Sequence, residues 1–287
     1  MKYLFSLIVI NSFLITAVFA DESESQKYQK CMSLAQSPEP VKQAEAVQYA
    51  TDWTFGGTAG FAGGVPAGHC KALALLGLGQ AETAARLLEK LGEELAISAE
   101  SDPRMQQKND QLTLELYIQS ALAWKAAKAY DKSYLAYSLA LSSMQASMQA
   151  STTQDSPFAD NRGNNRTLLH ELYLERGTLQ ILRRQYKAAI EDLTLAIEQD
   201  EQRFEGFLQR AKAYRKKNRL LKARLDLKQA MILALDHPDI LLEQGILWRA
   251  RGDKPGARRV WQKIIDRYPK SEHAGLAQTN IDLLDVK

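Results

Sequence analysis

The chain is 287 residues long, 45% hydrophobic and 25% charged, a composition that excludes collagen-like, low-complexity and globally disordered classes and predicts a folded core. Lys and Arg number 37 against 34 Asp and Glu, a net charge of +3, too even for a chain built to coat nucleic acid.

Residues 1–20 read as a secretory signal peptide. A basic start ending at Lys2 leads into an apolar run from Leu4 to Phe19, and Val18-Phe19-Ala20 forms a small-residue exit before Asp21 and Glu22. The rival is an uncleaved membrane anchor, but the run is about as short as a span can be and is broken by Ser6, Asn11, Ser12 and Thr16. No later segment reaches the roughly 20 apolar residues of a transmembrane helix. The expected product is exported, periplasmic or secreted, with no integral membrane span after cleavage.

Export changes the reading of the two cysteines, Cys31 and Cys70, because thiols outside the cytoplasm oxidise and persist as disulfides. A bridge between them closes a loop of about 40 residues, for which chain entropy gives roughly 4 kcal/mol. The alternative is a reactive Cys70 thiol activated by His69. Adjacent residues on a helix point about 100° apart and rarely hydrogen-bond each other, which disfavours it.

Residues 21–64 are expected to hold a degenerate helical repeat, carried by Met32, Ala35 and Ala44, and the start of a glycine-rich loop. That loop, Gly56 to Gly68, has six glycines in thirteen residues. Gly63 and Gly68 have the spacing of a phosphate-binding loop, yet His69-Cys70 stands where that motif needs Lys followed by Ser or Thr, so no nucleotide is nominated.

Two divergent helical blocks are expected over 65–147. The first, 65–98, carries Ala72, Leu75, Gly79, Ala84, Leu88 and Leu91; the second, 114–147, carries Ala121, Trp124, Tyr130, Tyr137 and Ala140, with Ser133 where a small alanine is expected. Residues 148–169 read as a polar linker, rich in Ser, Thr, Gln, Asn and Asp around Pro157 and Gly163.

From 170 to 271 the sequence repeats at 34 residues without insertion or deletion. Gly177, Ala211 and Gly245 form one column; Ala189, Ala223 and Ala257 a second; Leu193, Leu227 and Trp261 a third; Ala196, Ala230 and Ile264 a fourth. Spacings of 4 and 3 put the last three columns on one helical face, and small residues in the first two let antiparallel helices approach closely. The tail, 272–287, with Ala274, Leu276, Ala277, Ile281, Leu283 and Leu284, reads as the capping helix that a repeat array needs.

In their order, Arg176-Gly177, Tyr186-Lys187-Ala188-Ala189-Ile190, Leu193 and Ala196-Ile197 resemble the tetratricopeptide repeat, with blocks at 170–203, 204–237 and 238–271. Gly252 and Pro269 follow the family pattern, whereas Asn218 at the inter-helix turn and Leu235 at the terminal proline position depart from it. The resemblance, to an exported bacterial repeat protein of this type, implies an all-α, right-handed superhelical solenoid of antiparallel helix pairs with a C-terminal capping helix. It places Cys31 and Cys70 on the first helices of neighbouring repeats. It also implies a groove lined by the first helix of each pair.

At block position 2 that groove is acidic, with Glu115, Glu171, Glu205 and Asp239; position 12 holds Lys125, Ile181, Arg215 and Arg249, and Lys212 completes the groove candidates. The helix dipole alone favours acids at helix starts and bases at helix ends, by roughly 0.3 to 1 kcal/mol each. The Lys and Asn set with which some family members clamp a terminal carboxylate is absent at these positions.

Charge is divided along the chain: residues 21–160 hold 11 basic and 17 acidic side chains, residues 161–287 hold 25 and 17. The densest basic stretch is Arg210, Lys212, Arg215, Lys216, Lys217, Arg219, Lys222, Arg224 and Lys228, with Asp226 as the sole acid from 210 to 228. It reads either as a solvated repeat face or as a surface for an anionic partner.

His69, His170, His237 and His273 have no His or Cys at i+3 or i+4, and no Gly-x-Ser-x-Gly elbow occurs. No catalytic residue, metal or cofactor is therefore nominated. The expectation is an exported, non-catalytic scaffold of the cell envelope that holds a protein or peptide in its groove. Two alternatives stand beside it: an envelope structural component binding an anionic polymer or lipid through 210–228, and an unrecognised enzyme. Nucleic acid fits poorly with export.

Overall fold

The computed structural model describes residues 22–55, 64–98, 103–150 and 162–285. The signal-peptide stretch 1–20 lies outside the described residues, as do 56–63 of the expected glycine-rich loop and 151–161 of the expected linker. All of the regular structure described is helical, in two compact units, residues 1–160 and 161–287. No described helix is long and apolar enough to cross a membrane.

Unit 1 contains α1 (Glu22–Ala35), α2 (Pro40–Phe55), α3 (Gly64–Gly77), α4 (Ala81–Ala96), α5 (Pro103–Ala126) and α6 (Tyr130–Ala150). Unit 2 contains α7 (Arg162–Leu182), α8 (Tyr186–Gln199), α9 (Phe204–Lys216), α10 (Leu220–Leu233), α11 (Pro238–Ala250), α12 (Lys254–Arg267) and α13 (Glu272–Asp285). Within each unit successive helices pack as antiparallel neighbours. The result is the all-α solenoid of tetratricopeptide-like helix pairs, with α13 closing its end.

Five of the inter-helix turns are built alike. Gly79, Lys128, Arg184, Asn218 and Gly252 each occupy position 15 of a 34-residue block and have φ of 78°, 58°, 60°, 58° and 86°. The residue after each donates its backbone N–H to a carbonyl five back, as from Arg219 to Tyr214 at 2.8 Å and from Asp253 to Trp248 at 3.0 Å. This left-handed closure satisfies carbonyls that a helix end leaves open. Glycine adopts it freely; Lys128 and Arg184 do so at a cost of about 1 kcal/mol each.

The columns read from the sequence form the core. Ala189, Ala223 and Ala257, with Leu193, Leu227 and Trp261, are buried. Ser133 is buried as well, and its hydroxyl donates to the carbonyl of Ala121 at 2.7 Å, so the departure from alanine is matched by a hydrogen bond. Leu241, Ala257, Trp261 and Ile264 pack with Ala277, Ile281 and Leu284 of α13, which covers the last pair.

Two expected loops are partly helix. Met148 to Ala150 complete α6, and residues 162–169, assigned to the polar linker, open α7. The reason is tertiary: Arg166 donates to the carbonyls of Gln199 (3.1 Å) and Glu198 (3.3 Å), which end α8, anchoring a segment whose composition alone reads as loop. Likewise Gly64 to Gly68 belong to α3. Gly68 lies where a Cβ would stand 2.8 Å from Leu91 Cδ1, so it serves the close approach of α4.

Candidate functional site

In unit 1, Cys31 and Cys70 form a disulfide that joins α1 to α3. The bridge removes the thiol that the reactive-cysteine alternative requires, and His69 is directed elsewhere. Its Nε2–H donates to Gln119 Oε1 at 2.7 Å, its Nδ1 accepts from the Tyr28 hydroxyl at 2.9 Å, and Gln119 Nε2 donates to Glu115 Oε1 at 2.7 Å. These bonds tie α1, α3 and α5 together. Because His69 is fully buried, desolvation lowers its pKa from 6.5 to about 4, outweighing the opposing hydrogen bond that it donates to Gln119. Burial, with the Glu115 charge behind it, pushes the Tyr28 hydroxyl well above its ordinary range. The arrangement holds a neutral imidazole in place; it offers no open nucleophile.

In unit 2 the first helices α7, α9, α11 and α13 lie side by side, and their charges are largely committed to each other. Arg203, just before α9, bridges Glu171 of α7 and Glu205 of α9. Asp239 accepts from His273 of α13 at 2.8 Å. Arg215 makes a two-pronged pair with Glu243, whose side chain is only 3% exposed. Four of the six groove candidates thus staple one repeat to the next. Lys212 and Arg249 are the other two: both half-buried, and neither in an ion pair among the described residues. The Arg249 guanidinium lies 5.7 Å from the centre of the Trp261 ring. The first-helix face therefore presents, among the described residues, two cations without a carboxylate partner beside neutralised pairs.

The basic stretch also divides. Arg210 is held by Asp226, with hydrogen bonds of 2.8 and 2.9 Å, and reaches Thr194 at 3.1 Å. It is an internal tie and leaves the proposed basic surface. Lys216, Lys217, Arg219, Lys222 and Arg224 have no ion pair among the described residues; all but Lys217, which is half-buried, are exposed.

The Arg210–Asp226 tie is repeated one block earlier as Arg176–Asp192, at 2.8 and 2.6 Å. Sequence reading missed it, although the signal was present: arginine at position 7 and aspartate at position 23 in two successive blocks. The third block has Gln244 and Val260 at those positions, so the tie ends there. Among the described residues no three His, Cys, Asp or Glu side chains converge as metal ligands.

No protein-family model matches the chain, and no curated protein is similar to it in sequence. Solved structures are similar in fold. BtubC from P. vanneervenii is 13% identical over 92% of this chain and 91% of its own, with a TM-score of 0.52. YrrB, described as a tetratricopeptide-repeat protein with an unusual peptide-binding site, is 16% identical over 85% of this chain and 100% of its own, with a TM-score of 0.47. PilW, a type IV pilus biogenesis factor, is 15% identical over 91% and 100%, with a TM-score of 0.48. At these identities the likeness is one of fold.

Proposed function

We propose that the chain is an exported, non-catalytic scaffold of the cell envelope whose first-helix face in unit 2 holds a segment of a protein or peptide partner. The observation that carries this reading is the division of charge on that face: Glu171, Glu205, Asp239 and Arg215 are in ion pairs, while Lys212 and Arg249 have none among the described residues. Two cations held by packed helices and left without acids suit carboxylates brought by a partner. The signal-peptide layout, the disulfide and the peptide-binding site named for YrrB support export and partner binding.

A second reading has its own support. Lys216, Lys217, Arg219, Lys222 and Arg224 form a cationic surface without ion pairs among the described residues, suited to an anionic polymer or lipid of the envelope. Capture from envelope extract by the oxidised chain separates the two. A groove-held protein is expected to survive high salt and to be lost with Lys212→Glu/Arg249→Glu. Elution of a polyanion alone at modest salt, unaffected by that double variant, overturns the groove reading and favours the surface.

A further inference from the structure

At the α10–α11 junction the repeat is opened by a change of side chain. One block earlier, Arg210 of α9 fills the space against α8, fixed by Asp226 and Thr194. The corresponding residue of α11 is Gln244, shorter and uncharged; its Nε2 lies 3.5 Å from Met231 Sδ. The position matching Thr194 is Lys228, and α10 and α11 pack less extensively than α8 and α9. What remains is a cavity of about 420 Å³. Its buried side is apolar, from Leu227, Met231, Leu247 and Trp248 beside Gln244, and its exposed edge carries the cations Arg224, Lys228 and Arg251 together with Leu225. None of the three rim cations has an ion pair among the described residues, and Arg251 stacks 5.2 Å from the Trp248 ring centre.

Beside the cavity, α10 exposes an apolar stripe. Leu221, Leu225 and Ile232 are 68%, 62% and 67% exposed, at spacings of 4 and 7 that align them on one side of the helix over roughly 16 Å. Lys222 flanks the stripe on the side away from the cavity. A solvated face gains nothing from such leucines.

We infer that the α10–α11 face is a docking site for an acidic amphipathic helix of a partner protein. Its apolar side lies along Leu221, Leu225 and Ile232, one large side chain enters the cavity over Met231 and Trp248, and its carboxylates meet Arg224, Lys228 and Arg251. Helix-on-helix packing suits a stripe at this spacing. A second copy of this chain presenting the same face would set cation against cation, which argues against self-pairing. A flat lipid surface leaves the recess unfilled. The site is separate from the groove reading and stands or falls without it.

The test uses the oxidised full chain and a labelled 18-residue glutamate-rich peptide with leucines at i, i+4, i+7 and i+11, followed by fluorescence anisotropy. The controls are a scrambled peptide of equal composition and vesicles containing phosphatidylglycerol. The amphipathic peptide is expected to bind, and to weaken by about tenfold or more with Leu225→Asp and with Arg251→Glu. Gln244→Arg with Val260→Asp installs the arginine–aspartate pair of the earlier blocks; it is expected to abolish binding while leaving Tm unchanged or raised, so lost binding is not lost folding. Lys212→Glu/Arg249→Glu leaves this binding intact if the two faces are separate. No binding, equal binding of the scrambled peptide, preference for vesicles, self-association removed by Leu225→Asp, or full binding by the Gln244→Arg/Val260→Asp protein each overturns the proposal.

Discussion

The two units share one helix-pair plan but are held by different chemistry. Unit 1 is fastened by a covalent bridge, Cys31–Cys70, and by a buried hydrogen-bond network running Tyr28, His69, Gln119, Glu115. Unit 2 has no cysteine and is fastened by partly buried ion pairs, Arg176–Asp192, Arg210–Asp226 and Arg215–Glu243. The difference teaches that a repeat fixes how helices pack without fixing what locks them. Unit 1 is locked by groups that respond to reductant and acid, unit 2 by pairs that respond to removal of one partner.

The largest separation of the two comes from reduction. Opening a loop closed by residues 39 apart is expected to destabilise unit 1 by about 4 kcal/mol. Hydrogen exchange resolved along the chain checks this: α1 to α3 lose protection on reduction or in Cys31→Ser/Cys70→Ser, while α9 to α13 keep theirs. Equal loss in both units breaks the comparison.

Acid is expected to act next, and again on unit 1. His69 is neutral when folded, with its pKa near 4 against 6.5 for the free side chain, so as pH falls below 6.5 the unfolded chain takes up the proton first. Its contribution is complete above pH 6.5, declines through the window and is gone below about pH 4, a change of about 3 kcal/mol. Urea titrations of unit 1 fluorescence across that range give the slope, and His69→Gln should flatten it. A slope that persists in His69→Gln assigns the acid response to another group.

The smallest effect belongs to the ties of unit 2. Asp226→Ala leaves the Arg210 guanidinium partly buried without its carboxylate and is expected to cost about 2 kcal/mol. Arg210→Met with Asp226→Leu removes both charges and is expected to cost less than about 1 kcal/mol, because the desolvation of the pair disappears with it. Thermal unfolding of the two variants measures the contrast. If the double variant falls as far as the single one, the pair contributes net stability and its desolvation is minor.

The sequence by itself determined the period, the small and apolar columns, the capping helix and the cysteine pairing. These depend on helical phase and on residues close in the chain, or, for the cysteines, on there being just two. Local order also explains the turns: Gly79, Asn218 and Gly252 are residue types that accept the left-handed conformation, whereas Lys128 and Arg184 hold it only because the flanking helices impose it. Only the tertiary structure decided which charges are spoken for. Arg210, Lys216 and Arg224 look alike in the basic stretch, yet Arg210 faces a buried aspartate on the partner helix and the others are exposed. Glu243 is paired across 28 residues by Arg215, a choice set by how α9 and α11 are rotated against each other. Burial makes an unpaired charge costly, so packing selects its partner, and packing likewise left the recess at Gln244 where no arginine fills it.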